Sequence, residues 1–464
     1  MTTTDPAVLQ RRSLWIAAAG TLLTLVAFTA PLATINPTAA TLGSDASGRT
    51  WILSSMSIGL GAALLTAGTV ADDFGRRRTF VVGAVVLALG SLLSAVAPNT
   101  VVFVAARVLQ GLGGAALVAS SLGIIAHTHP AGPLRARASG IWGASVGAGI
   151  ALGPLVSAGF DRIATWRDAY IVLAIGSAAL AVAAHRLVAE SRTDTPRGLD
   201  PAGAVLLGLG VSAFLAALTE GRQGWTDPLP IGLFAASGAL LIAFVALELR
   251  SKAAMLDLTL FTAPPFVAAT FAALTTGSGV IALMSFMPGF LGNAYGITAV
   301  GAAFLLFAWS GTSVVAALLA RRLPTRISGR TQLAAGLVGV AVGQLFLLGL
   351  SETSTWTRLL PGLLLAGVSS GVLNAALGRE AVASVPPGRA GMGSGANNTA
   401  RYVGSAVGVT IVAVLAVPTG TPTVAGLVQG WNSAVLFTTA ASIVGALVVL
   451  ATNARRPSAT PREK

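Results

Sequence analysis

The chain has 464 residues, no cysteine, 54% hydrophobic and only 10% charged residues, and a mean hydropathy of +0.80. A water-soluble domain carries about 25% charged residues, so the composition argues against a soluble enzyme, a disordered chain and a disulfide-bonded secreted scaffold. The 29 Lys and Arg against 16 Asp and Glu, a formal +13, would suggest nucleic acid in a soluble chain; in a membrane protein the excess must first be placed along the sequence.

A helix crosses ~30 Å of hydrocarbon with about 20 apolar residues. Fourteen segments qualify, at roughly 14–36, 51–71, 79–97, 101–126, 138–160, 166–185, 201–219, 230–249, 264–289, 297–320, 331–350, 357–378, 391–416 and 432–452. Runs such as 80–93 do not alternate apolar and polar residues, which argues against a strand barrel. The expected fold is all-α: a polytopic membrane protein with a six-helix bundle over 1–189, an inserted two-helix hairpin over 190–255, and a second six-helix bundle with a basic tail over 256–464.

Arg11 and Arg12 precede span 1, which is full length and lacks a convincing processing site, so it is expected to stay as a signal anchor with its N-terminus inside. On that orientation 22 of the 29 basic residues fall on inner segments and 5 on outer ones, with Arg107 and Arg401 inside spans. This split is the positive-inside pattern. It predicts an inner-membrane protein with both termini cytoplasmic and makes the charge a topology signal, with no nucleic-acid partner. None of the acids falls in the middle of a span.

Spans 2 and 3 are joined by Gly68-Thr69-Val70-Ala71-Asp72-Asp73-Phe74-Gly75-Arg76-Arg77-Arg78. Gly75 permits a tight reversal and the arginines anchor the loop. An acid at a helix C-terminus opposes that helix's dipole, so Asp72 needs a partner: an arginine, or the N-terminus of a neighbouring helix. Such a contact could be made in one conformation and broken in another; the alternative is a basic topological loop with incidental acids. Span 4 carries Arg107-Val108-Leu109-Gln110-Gly111. Arg107 lies about six residues, or roughly 9 Å, below the outer end at 1.5 Å per residue. An arginine at that depth is costly unless paired or wetted, so it is either functional or a structural residue bonded to backbone carbonyls. Span 5 carries Gly143, Gly147, Gly149, Gly153 and Pro154, which make a thin, bendable, closely packing helix; generic small-residue packing also accounts for them. The loop after span 10, Arg326-Ile327-Ser328-Gly329-Arg330, weakly echoes the loop after span 2 and suggests duplicated halves with substrate held between them. The sequence has no Gly-Lys-Ser/Thr phosphate loop, no paired membrane carboxylates and no metal-ligand or nucleophile–base set. Neither an ATP-driven pump nor an enzyme is expected, and no cofactor or metal.

The loop after span 2 resembles the major facilitator superfamily signature G-x-x-x-D-x-x-G-R-R, matching at Gly68, Asp72, Gly75, Arg76 and Arg77. The resemblance implies a conformational-switch role for these residues. Arg107, Gln110, Gly111 and Gly113 look like the superfamily's R-x-x-Q-G-x-G string, associated with proton coupling. Gly149, Gly153 and Pro154 resemble its antiporter motif, with Ser157 and Ala158 where the last two glycines should be. Trp166-Arg167, the Asp200, Gly203 and Leu206 set, Met255-Leu256-Asp257-Leu258, and Gly395, Asn398, Arg401, Gly404 and Gly408 point to the fourteen-helix drug:proton antiporters, over about 1–452.

One departure bears on mechanism. Antiporters of this group usually place an Asp in helix 1, five residues before an Asn. If Asn36 is that Asn, the acid position is Pro31. Proton-coupling candidates are then Arg107, Gln110, Asp72 and Asp257, with Asp45, Glu220, Glu380 and His127 as further titratable groups. Cavity candidates are Asn36, Trp142, Phe286, Trp309, Asn374, Asn398 and Arg401, together with Gln344 and Asn397; packing and helix–helix hydrogen bonding are the alternative role for each. A cavity with Arg107 and Arg401 and no carboxylate should favour neutral or weakly acidic amphiphiles over cations. The expected function is export of small amphiphilic compounds such as antibiotics by alternating access, in exchange for protons, by a monomer in the lipid bilayer. An uncoupled facilitator or importer of a metabolite, and a non-transporting receptor or scaffold, are the alternatives.

Overall fold

A computed structural model describes residues 6–196, 198, 200–251, 254–320, 322–323, 326–416 and 423–452. Of the basic residues counted on the inner segments, Arg197, Lys252, Arg321 and those from Arg455 onward lie outside the described residues, as do Asp5 and Glu463.

The fourteen spans appear in sequence order. Span 1 is two helices, α1 (Pro6–Thr29) and α2 (Pro31–Leu42). Then come α3 (Ala46–Phe74), α4 (Arg76–Val96), α5 (Thr100–Thr128), α6 (Pro133–Ile163) and α7 (Trp166–Leu187). The hairpin is α8 (Pro201–Gly221) and α9 (Pro228–Glu248). Span 9 is α10 (Pro264–Thr276) and α11 (Ala282–Tyr295), joined through a π-helical turn, Gly277–Ile281. The remainder are α12 (Ala299–Ala320), α13 (Gly329–Leu345), α14 (Leu360–Ala383), α15 (Ala390–Ala416) and α16 (Val424–Ala451). Thirteen of these spans are at least 18 residues long and apolar enough to cross a membrane; the fourteenth, α13, has 17 residues.

Several acids that the sequence leaves at the membrane boundary turn out to start helices. Asp45 accepts the Gly48 amide at 2.7 Å, Asp200 accepts Gly203 at 2.8 Å, and Asp168 closes a capping box with Thr165. Each carboxylate satisfies an amide that the first turn leaves without a helical partner.

One apolar core gathers side chains of α1 to α7, including Phe80, Phe103, Trp142 and Tyr170, and another gathers α10 to α16 around Trp309, Phe290 and Trp431. These are the two six-helix bundles. The hairpin packs through α8 on α3, with Gly61 of α3 meeting Leu215 and Val211. Side chains such as Val101, Phe304 and Ile242 remain exposed, as a bilayer surface allows.

The bundles meet along two edges. At one, Gly68 of α3 approaches Gly391 so closely that a Cβ would lie 2.1 Å from the Gly391 carbonyl oxygen. At the other, Gly143 and Gly147 of α6 admit the backbone of α14 at Ala375 and the side of α12 at Ser313. Small residues at such crossings let backbones touch, the main source of helix association in lipid.

Candidate functional site

At the end of the molecule that carries the Gly68–Arg78 loop, hereafter the basic end, Asp72 is fully buried. Its carboxylate receives Arg76 Nε and Nη2 at 3.0 and 2.8 Å. It also receives the Gly391 and Met392 amides at 3.1 and 2.9 Å. Asp72 thus ends α3 and caps α15 of the other bundle, so both partners considered from the sequence are present. Arg76 continues across the interface to the Gly388 carbonyl at 2.9 Å. Beside it, Arg389 pairs with Asp73 at 2.6 Å, both nearly buried. Gly75 has φ +129, and a Cβ there would stand 2.8 Å from the Glu190 carboxyl. Glu190 receives the Arg77 and Arg78 amides at 3.0 and 3.2 Å. The stretch after α7 is drawn into the same cluster: Ser191 accepts the Arg76 amide, and Thr193 donates to the Asp72 carbonyl. Together these contacts close the interface at the basic end.

Above this closure the bundles diverge around a cavity of about 210 Å³. Phe28 and Leu32, residues 53–58 of α3, the far end of α8 with Arg222, Phe286 and Gly289 of α11, and residues 405–413 of α15 line it. Its polar lining residues include Ser54, Ser57, Ser285 and Thr410, with Arg222 the one basic residue and no acidic residue among the described residues that line it. Phe28 meets Tyr402 of α15 edge-on at 5.4 Å, bridging the bundles on the basic side of the cavity. Phe286 is backed by a stack with Phe290 and Trp431.

Arg107 is fully buried and does not line the cavity. It donates through Nη1 to the Ala27 carbonyl at 2.6 Å and to Gln110 Oε1 at 2.8 Å, and through Nη2 to the Phe28 carbonyl at 3.2 Å. Gln110 in turn donates to Ser91. The reason lies at Pro31. A helix bonds each N–H to the carbonyl four residues back, and proline has no N–H. Pro31 therefore leaves the Ala27 oxygen without its helical donor, and Arg107 takes it. Ser157, one of the two departures in the span 5 motif, donates to the next break carbonyl, Ala30, at 2.6 Å. The glycines of that motif serve the same contact: Cβ atoms at Gly149 and Gly153 would lie 2.5 Å from Leu25 and 2.0 Å from Thr29. Arg107 and the span 5 motif hold the broken helix whose Phe28 faces the cavity.

The remaining cavity candidates are scattered. Phe286 lines it. Trp142 and Trp309 are core wedges, donating to Ser121 and Ser370 at 3.0 and 3.1 Å. Asn36 is exposed and accepts from Arg49 at 2.9 Å. Asn398 donates to Ser394, and Asn397 to Ala269. Arg401 reaches Asn374 at 3.4 Å, and its Nε has no partner among the described residues. Gln344 donates to Gly279 in the π turn and accepts from Ser442. Asp257 caps the short 3-10 turn Leu258–Thr262. Glu220 accepts the Trp51 indole, Glu380 pairs with Arg379, and His127 is exposed. The cavity hydroxyls and Arg222 escaped the sequence reading: isolated serines on apolar helices look like packing, and Arg222 reads as an ordinary outer-loop charge.

The family model described as Major Facilitator Superfamily matches residues 15–409 and 284–464. The chain is 32% identical over 373 residues to multidrug resistance protein Stp of Mycobacterium tuberculosis, covering 80% of this chain and 69% of Stp. It is 31% identical over 419 residues to puromycin resistance protein pur8 of Streptomyces alboniger, covering 85% and 82%. Among solved structures, the proton:xylose symporter XylE superposes with a TM-score of 0.69 at 15% identity, covering 96% of this chain and 95% of that one.

Proposed function

This chain belongs to the major facilitator superfamily, and we propose that it exports small amphiphilic compounds across the inner membrane by alternating access, in exchange for protons. The carrying observation is the pairing of a cavity between the bundles with a closure at the basic end built from side chains of one bundle and main-chain amides of the other. With the basic end cytoplasmic, as the positive-inside rule directs, this is an outward-facing arrangement. Breaking the Asp72 cap and the Arg389–Asp73 pair would let the bundles rock and expose the interface to the cytoplasm. The named relatives, resistance proteins for multiple drugs and for puromycin, support export of drug-like molecules. The test is an efflux panel in cells lacking and overproducing the protein, with and without a protonophore. The expected result is protonophore-sensitive efflux of at least one amphiphile. No compound moved under any condition overturns the reading.

A second reading, transport without proton exchange, is favoured by one observation. The helix 1 acid position is Pro31, and the Arg107 hydrogen bonds go to carbonyl oxygens rather than to a carboxylate. Efflux that only equilibrates and is unaffected by the protonophore would establish it.

A further inference from the structure

Among the described residues that line the cavity, the one charged residue comes from the inserted hairpin. Arg222 follows α8 directly, lines the cavity and is half-buried. Its side chain makes no hydrogen bond or ion pair among the described residues. Its near neighbour Glu220 is engaged instead by the indole of Trp51. Arg107 and Arg401, the cations that the sequence places in a cavity, are buried away from this one. An arginine in a wall of phenyl rings, aliphatic chains and hydroxyls has no carboxylate beside it among the described lining residues, and a low-dielectric wall strengthens whatever charge pair forms there. Burial already works against the cationic form of Arg222, so an arriving anion would restore what desolvation removes.

We propose that Arg222 is the anion-recognising group of the cavity, so that the hairpin is a working wall of the binding site and selects amphiphiles bearing an ionised acid. The apolar body would lie against Phe28, Leu53 and Phe286 and the acid against the guanidinium, with cations disfavoured by the same charge. The proposal rests on the cavity being the substrate site.

The test uses the full-length protein in phosphatidylcholine nanodiscs and a matched fluorescent series: dansylglycine (anionic), its methyl ester (neutral) and dansylcadaverine (cationic). Wild type should bind dansylglycine best. Arg222→Gln should weaken dansylglycine by about tenfold or more, the loss expected for one charged hydrogen bond, and leave the ester unchanged. Arg222→Lys should keep most of the affinity. Gly289→Phe fills the cavity from a position whose Cβ would meet nothing within 4 Å, and should abolish binding of all three probes. Unchanged dansylglycine affinity in Arg222→Gln overturns the proposal, and so does an equal loss for the ester, which would mark a structural arginine. Ester binding that survives Gly289→Phe locates the failure in the cavity reading itself. An anionic lipid head offers the same chemistry as an acidic solute. Discs containing phosphatidylglycerol separate the two: competition lost in Arg222→Gln assigns the site to lipid and overturns substrate selection, and undiminished dansylglycine binding assigns it to the solute.

Discussion

Replacing Pro31 with alanine restores a main-chain N–H aimed at the Ala27 carbonyl. In the native protein that oxygen is held by Arg107 Nη1 at 2.6 Å. Two donors would then compete for one acceptor, so Arg107→Met should be less destabilising in a Pro31→Ala background than in the native one. Of the three acceptors that Arg107 serves, Ala27 is the one whose helical donor is missing, and a stranded buried carbonyl costs about 1–3 kcal/mol. Coupling between the two substitutions should therefore reach roughly 1–2 kcal/mol, above the ~0.5 kcal/mol scatter of independent sites. The assay is reversible unfolding of the four proteins in mixed detergent–SDS micelles. Additive losses within ~0.5 kcal/mol would refute the idea that proline and arginine share this carbonyl.

The chain has no cysteine, so Ser394→Cys, buried between α15 and α5 near the closure, is a clean reporter. Adding Asp72→Asn should raise its maleimide labelling by about tenfold, equivalent to ~1.4 kcal/mol from the lost charge on Arg76 and the α15 cap; an unchanged rate refutes the latch. Gly68→Leu must push α3 off α15 and should reduce efflux by at least ~10-fold at normal protein levels. Gly176→Ala, where a Cβ would come no closer than 3.7 Å, should be neutral in the same assay. Trp142→Phe should lower stability by about 1 kcal/mol through its bond to Ser121 without changing the apparent affinity for any exported compound, because its ring packs on Gly378 away from the cavity. A changed affinity would place it in the binding path.

The helix count, the insertion of the hairpin and the need of Asp72 for a partner could be read from residues, because hydrocarbon thickness and the helix dipole act on local sequence. The break between Thr29 and Pro31 was signalled by proline yet read as one span, since 14–36 is apolar throughout. The cavity lining was mostly illegible. In a bilayer both the lipid-facing and the core-facing sides of a helix are apolar, so periodicity does not say which face looks at the other bundle. Trp142 and Trp309 therefore read as cavity aromatics, and Ser57 and Thr410 passed unnoticed. Arg107 shows a different limit. Its depth demanded a partner, but that the partner is a carbonyl freed by Pro31 depends on α1 and α5 lying side by side, which no single stretch of sequence states.

The closure at the basic end is lopsided. Asp72 grips peptide groups, and the grip needs glycine at 391 as well, because a Cβ there would stand 2.5 Å from the Gly68 carbonyl oxygen and 3.0 Å from the Asp72 carboxyl. The echoing loop of the second bundle offers no mate: Arg330 donates to the Val449 and Leu450 carbonyls of its own bundle. Among the described residues, the charged fastening between the bundles lies along one edge. The opposite edge is a plain packing seam, where Gly143 and Gly147 of α6 lie against α14 and α12; if the bundles rock as proposed, this is the line about which the leaf would swing.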